Sequence, residues 1–204
     1  MVVIIDYGLG NLRSIHYKLQ KSKIESVISS SLQDIKTADK LILPGVGNFA
    51  TGMANLIELG LIPLLHEKVI DGSTPILGIC LGMQLFSLRS DEGGAEGLGW
   101  IDGETRRFDF NGRISNPPIP HVGWNTITVK NRHDLLEDIS EDQEFYFTHS
   151  YHVCCKKPEQ IAAVTDYGYE FVSAVCRGNI FGTQFHPEKS HRRGFEIIKN
   201  FALS

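Results

Sequence analysis

The chain has no apolar run approaching the length of a membrane span, no basic leader ahead of its first apolar segment and no long basic stretch. The first absence argues against a spanning helix and the second leaves nothing to direct export, so the expected compartment is the cytosol. The third, with a net charge of −4, argues against nucleic acid as a partner. Cysteine is scarce: of the four, Cys154 and Cys155 are neighbours, Cys176 stands in a β-rich run, and none has metal-ligand spacing. Reduced thiols are expected, and neither a metal nor a cofactor. Linkers and internal repeats are also missing. With 42% hydrophobic residues, a chain of 204 is long enough for one domain, residues 1–204, with a sizeable core.

Against that background, Pro75-Ile76-Leu77-Gly78-Ile79-Cys80-Leu81-Gly82-Met83-Gln84 is the most informative stretch. An apolar strand stops at a cysteine between two glycines and restarts as a helix. A side chain on so sharp a turn stands clear of the backbone, and the unpaired N–H groups and positive dipole end of a helix start favour a thiolate and an oxyanion. Gly78 and Gly82 fit because the elbow crowds any side chain beside the nucleophile. A lone cysteine is usually a small core hydrophobe. The G-x-C-x-G context makes Cys80 a candidate nucleophile instead.

A candidate base lies near the C-terminus. The β-rich run Asn179-Ile180-Phe181-Gly182-Thr183-Gln184-Phe185 leads into His186-Pro187-Glu188. His186 and Glu188, two apart, project to the same side of an extended backbone, and Pro187 holds His186 extended. A carboxylate beside an imidazole fixes its tautomer and stabilises its charged form.

The first half alternates short apolar strands with helical patterns. Residues 2–5 read as a strand; Leu12, Ile15 and Leu19 mark a helix face; residues 41–43 are a strand; residues 56–69 are helical with an interruption near Pro63; residues 75–79 are a buried strand. This implies an α/β fold: a doubly wound, mostly parallel sheet with helices on both faces, and ligands beyond the strand C-termini, where Cys80 falls. From Trp100 onward the pattern turns β-rich. Extra strands are expected at residues 106–110, 126–129, 144–147, 161–165 and 171–176, then a closing helix through Phe195, Ile198 and Phe201. Gly8-Leu9-Gly10 mimics a dinucleotide fingerprint, but Arg13 occupies the third glycine position, so a structural turn presenting Asn11 is the better reading.

Taken together, Gly78-Ile79-Cys80-Leu81-Gly82-Met83-Gln84 and Phe185-His186-Pro187-Glu188 resemble the signature pair of class I (triad) glutamine amidotransferases. Asp6-Tyr7-Gly8-Leu9-Gly10-Asn11-Leu12, Leu43-Pro44-Gly45-Val46-Gly47, Pro120-His121-Val122-Gly123-Trp124-Asn125 and Phe147-Thr148-His149-Ser150-Tyr151 narrow the resemblance to the HisH family, the glutaminase subunits of imidazole glycerol phosphate synthase. The similarity runs end to end and implies a Cys80–His186–Glu188 triad that hydrolyses glutamine. It implies an oxyanion site at Gly45, Val46, Gly47 and the Leu81 amide, the loop acting after a peptide reorients. Gln84, Gly47 and the Ser150–Tyr151 backbone would hold the amino-acid end of the substrate. It also implies a partner, a HisF-type (β/α)₈ cyclase barrel that receives ammonia and makes imidazole glycerol phosphate and AICAR in histidine biosynthesis. The docking face would include Asn11, Trp124, Tyr146 and Lys189.

Three other readings compete. An α/β-hydrolase with a cysteine nucleophile shares the elbow, but its acidic residue precedes the histidine, whereas Glu188 follows His186. A degenerate amidotransferase kept as a binding module requires a missing triad member, and all three are present. A HisH-like paralogue feeding ammonia to a sugar amidotransferase in surface-polysaccharide synthesis stays open, because His191-Arg192-Arg193 departs from what a histidine-pathway member leads one to expect.

Overall fold

The computed structural model describes residues 1–112, 115–131, 133–137, 139–140 and 142–204. In chain order the first half contains β1 (Val2–Ile5), α1 (Leu12–Lys21), β2 (Ser26–Ser29), α2 (Leu32–Thr37), β3 (Lys40–Gly45), α3 (Phe49–Glu58), α4 (Leu61–His66), β4 (Ile76–Cys80) and α5 (Leu81–Gln84). The second half contains β5 (Gly103–Arg107), β6 (His121–Thr126), β7 (Thr128–Val129), β8 (Glu144–His149), β9 (Tyr151–Cys155), β10 (Ile161–Asp166), β11 (Glu170–Arg177), β12 (Ile180–Thr183) and α6 (His191–Leu203).

The central sheet has the order β2-β1-β3-β4-β12-β11-β10-β7. Its strands are parallel from β2 through β12 and antiparallel beyond. Two ribbons, β5–β9 and β6–β8, lie outside it. Its central strands β1, β3 and β4 are buried on both faces, which is why they read as unbroken apolar runs rather than alternating ones. Val2 and Ile4 of β1 enter one core with Ile15 and Leu19 of α1 and Ile198 and Phe201 of α6. Val3 and Ile5 enter the other with Met53 and Leu56 of α3 and Leu61 and Leu65 of α4. Each fully buried Ile or Leu contributes roughly 1.5–3 kcal/mol, so the two-sided burial, more than strand propensity, holds β1, β3 and β4 in register.

Several expectations shift. The helical stretch at residues 56–69 breaks at Leu59-Gly60, where Gly60 has φ +64°, and not at Pro63, which sits in the first turn of α4 where its missing N–H is not needed. Residues 106–110 contribute only the end of β5, which starts earlier, at Gly103. Residues 126–129 divide between the end of β6 and β7. Among the described residues no single helix is long and apolar enough to cross a membrane.

Candidate active site

β4 lies mid-sheet between β3 and β12, and its last residue is Cys80. Cys80 has φ +53° and ψ −108°, a conformation that costs a non-glycine residue of order 1–3 kcal/mol and persists only where surrounding packing imposes it. The packing here is close. A Cβ on Gly82 would stand 1.7 Å from the Leu43 carbonyl oxygen, and one on Gly78 would stand 2.6 Å from the Phe86 ring and 2.7 Å from Gly82 backbone. Both glycines flanking the elbow are therefore required by contact, as the sequence pattern implies.

His186 is 1% exposed and Glu188 5%. His186 Nδ1 lies 2.9 Å from Glu188 Oε1. Glu188 does not reach His186 along an extended strand, however. Pro187–Lys189 form a single 3-10 turn, closed by the Lys189 and Ser190 N–H groups bonding to the His186 and Pro187 carbonyls. Proline fixes φ at a value a 3-10 turn accepts, so extension stops at His186 (φ −97°, ψ 94°), and the turn brings the carboxylate back under the ring. The Ser190 hydroxyl donates to the His186 carbonyl at 2.6 Å and accepts the Tyr146 N–H at 2.9 Å, and the His186 N–H donates to the Tyr146 carbonyl at 2.9 Å, pinning the turn to β8.

Burial alone would lower the His186 pKa, but the Cys80 thiolate and the Glu188 carboxylate outweigh it and raise the group to about 10. The imidazolium is thus the favoured form beside Cys80. Nε2 is buried without another hydrogen-bond partner among the described residues, which leaves it free to exchange a proton at the reacting centre. On α1, Lys18 has its ammonium disfavoured by partial burial and partly restored by Glu188.

The parallel register sets Gly45 directly opposite Cys80, so the loop Gly45-Val46-Gly47 continues beside the nucleophile. Val46 is exposed, and Gly47 has φ +135°. Leu81 supplies the first amide after Cys80. Gln84 is buried and commits both amide hydrogens, one to the Tyr151 carbonyl at 2.9 Å and one to Gln184 Oε1 at 3.0 Å. Its own Oε1 is left as an acceptor, the polarity an ammonium needs.

Sequence reasoning passed over two residues. Gln184 Nε2 lies 3.6 Å from Cys80 Sγ, so this amide joins the nucleophile to Gln84. Its position two before His186, as Glu188 is two after, was the available signal. Tyr7 is buried, its hydroxyl has no hydrogen-bond partner among the described residues, and it packs where a Gly45 side chain would otherwise stand, 2.3 Å from that Cβ position. Burial, reinforced by the charge of Cys80, pushes its pKa up.

Of the four proposed docking residues, three come together. The Trp124 and Tyr146 rings meet edge to face at 5.9 Å, and Lys189 Nζ stands 5.5 Å from the Tyr146 centroid. Trp124 is 41% exposed and stacks on His191 at 4.6 Å. Asn11 stands at the start of α1, accepting from the Ser14 hydroxyl at 2.9 Å. Its loop lies at the C-terminal end of β3, where Gly10 packs against Pro44 and Gly45.

Comparison with known proteins decides the family. Residues 3–204 match the model of glutamine amidotransferase class-I. The chain belongs to the class I glutamine amidotransferase family. This amidotransferase is 45% identical over 201 residues to imidazole glycerol phosphate synthase subunit HisH 2 of Pseudomonas aeruginosa, covering 98% of each chain. It is 46% identical over 201 residues to the subunit of the same name from Methanococcus maripaludis, again covering 98% of each. Among solved structures, one described as a glutamine amidotransferase superimposes over 100% of both chains with a TM-score of 0.76 at 18% identity, a likeness of fold. The doubly wound, mostly parallel α/β sheet expected from the alternating strands and helices is the one observed, and the amidotransferase fold that the resemblance implies is the one it shares with that structure.

Proposed function

We propose that this amidotransferase is the glutaminase subunit of imidazole glycerol phosphate synthase, hydrolysing glutamine and passing ammonia to a HisF-type (β/α)₈ cyclase that forms imidazole glycerol phosphate and AICAR. The observation that carries the reading is Cys80, held at positive φ beside a buried His186–Glu188 pair whose imidazole is raised to about 10. Relatives at 45–46% identity bearing that synthase subunit's name supply the pathway.

In this reading the Cys80 thiolate attacks the side-chain amide carbon of glutamine, and the carbonyl oxygen takes the negative charge. The Leu81 amide and the Gly45–Gly47 loop receive that oxyanion. The His186 imidazolium gives its Nε2 proton to the departing nitrogen, ammonia leaves, and a glutamyl thioester remains. Neutral His186 then takes a proton from water as the water attacks the thioester, and glutamate and the thiolate are regenerated. Glu188 orients the ring throughout. Gln84, Gly47 and the Ser150–Tyr151 backbone hold the amino-acid end. Residues 1–204 act as one domain, a view supported by β12 of the second half pairing with β4 of the first. A cytosolic setting belongs to the same proposal, supported by four free thiols.

If Glu188 only orients His186, Glu188→Gln is expected to cost less than His186→Ala, by roughly tenfold to a hundredfold in kcat/KM, because the proton carrier stays in place. Steady-state glutaminase kinetics of both variants check this. Full activity in His186→Ala would refute the assignment.

Ammonia released into water is mostly protonated and not nucleophilic, so turnover is useful only on a docked acceptor. The chain alone is expected to be nearly silent, and a ligand-loaded barrel is expected to bias the Gly45–Gly47 loop towards its competent form. Glutaminase assays with and without a HisF-type barrel and its ligand test the proposal. Full activity in isolation would overturn the coupling, and unchanged barrel affinity in Trp124→Ala, Lys189→Ala would remove the docking face. Capture of a sugar amidotransferase in place of a barrel cyclase would replace the histidine-pathway reading.

A further inference from the structure

His121 and His149, of the motifs Pro120-His121-Val122-Gly123-Trp124-Asn125 and Phe147-Thr148-His149-Ser150-Tyr151, take no part in the chemistry above. They are nevertheless paired. β6 and β8 run antiparallel with His121 opposite His149, and the two imidazoles are 2% and 6% exposed. His121 Nδ1 lies 3.1 Å from His149 Nε2, and His149 Nδ1 lies 2.8 Å from the Tyr151 carbonyl oxygen. At the other end, Asn125 Nδ2 lies 3.5 Å from His121 Nε2 and 3.0 Å from the Asp166 carbonyl oxygen.

The proton positions follow from donor and acceptor chemistry. A carbonyl oxygen only accepts, so His149 carries its hydrogen on Nδ1. Both rings are neutral: burial lowers His121 to about 4 and His149 well below the usual imidazole range, and the His186 imidazolium opposes a further charge on His149. With one hydrogen per ring, His149 Nε2 must accept, so His121 Nδ1 must donate to it. His121 Nε2 is then the acceptor for the Asn125 amide. The chain of donors therefore runs one way, from Asn125 through His121 and His149 to the Tyr151 carbonyl. That carbonyl also receives the Gln84 amide at 2.9 Å, and the preceding Ser150 carbonyl receives the Phe108 N–H at 3.0 Å. Both carbonyls of the dipeptide are tied down.

We propose that His149 and His121 are positioning residues for substrate binding, their directed hydrogen bonds fixing the Tyr151 carbonyl and so the Ser150–Tyr151 backbone that holds the amino-acid end of glutamine. The proposal rests on the glutaminase reading. It deepens that reading by assigning the two motif histidines a role that neither proton transfer nor docking requires. The ribbon that carries them also sets Trp124 opposite Tyr146, so the relay and the exposed aromatic pair share one two-stranded unit.

The test uses the complex with the barrel partner. His149→Leu is expected to raise the glutamine KM by about tenfold or more, with kcat within about threefold, because a binding surface is loosened while the reacting groups stay. His149→Asn, which presents an amide N–H near where Nδ1 stood, is expected to restore KM to within about threefold of wild type. Labelling of Cys80 by iodoacetamide, which has no amino-acid end, is expected to proceed equally in all three proteins. An unchanged KM in His149→Leu, or a His149→Asn as impaired as His149→Leu, would overturn the proposal. The tautomers are read independently in the wild-type chain by long-range ¹H–¹⁵N spectra at neutral pH. Nδ1–H neutral rings at both positions support the relay, and an Nε2–H or doubly protonated ring at either refutes it even if a variant fails to fold. Failure of wild type to turn over glutamine would instead refute the glutaminase reading, leaving the spectra to decide the relay.

Discussion

Replacing Cys80 by alanine is expected to lower glutamine turnover by about 10⁴-fold or more while leaving cooperative thermal unfolding in place. No other thiol can substitute. Burial pushes Cys155 up to about 12 and Cys176 up to about 11, and it also raises Cys154, the largest cause in each case. At neutral pH these three are thiols, and a thiol is a poor nucleophile. The variant carries a second signature. Because the Cys80 thiolate is the largest influence raising His186 against its burial, removing it is expected to lower the His186 pKa from about 10 even though Glu188 remains. NMR titration of the imidazole in wild type and Cys80→Ala measures this. Retained turnover in the variant, or an unmoved His186, would contradict a coupled thiolate–imidazolium centre.

The largest effect on stability is expected at Gly82. An alanine there places Cβ 1.7 Å from the Leu43 oxygen and 2.8 Å from its carbonyl carbon, both backbone atoms of a central strand. No rotamer change relieves such a contact. Either β3 or the elbow must move, at a cost of about 3 kcal/mol or more. Because Gly45, two residues along β3 from Leu43, pairs with Cys80, activity is expected to fall with stability. Gly52→Ala in α3 is the control. The nearest atoms to its Cβ are Leu81 and Leu85 side-chain carbons at 3.3–3.4 Å, and alanine is favoured over glycine in a helix by about 1 kcal/mol, so a net change within about 1 kcal/mol is expected. Urea unfolding of the two variants checks the contrast; equal midpoints would mean the elbow is not held by this contact.

Much of this centre was legible because its constraints are local. The apolar run ending at Cys80, the crowding at Gly78 and Gly82 and the pairing of His186 with Glu188 are set within a few residues. The unbroken apolar strands 2–5 and 41–43 report two-sided burial directly. What escaped notice depends on distant partners. β2 is a half-buried edge strand, Ser-Val-Ile-Ser, with too little apolar contrast to stand out. β6 opens after Pro120 and contains Gly123, so its composition reads as a turn, and only β8 alongside makes it a strand. β9 was hidden by its histidine and paired cysteines, and pairs with β5 at the far side of a long connection. Gln184 and Tyr7 matter because β12 and β1 bring them to Cys80 and Gly45. The 3-10 turn at Pro187 replaced the extended geometry expected of His186-Pro187-Glu188, yet delivered the same pairing by a different backbone path.

The central claim is that one thiol, Cys80, is the nucleophile that takes the glutamyl group. The most direct measurement is peptide mass mapping of the barrel-docked protein after inactivation by an electrophilic glutamine analogue, with and without competing glutamine. The account predicts a single label on the peptide bearing Cys80, formed in proportion to lost activity and suppressed by glutamine, with Cys154, Cys155 and Cys176 unmodified. Inactivation with Cys80 unlabelled, or with the label on another residue, would contradict it.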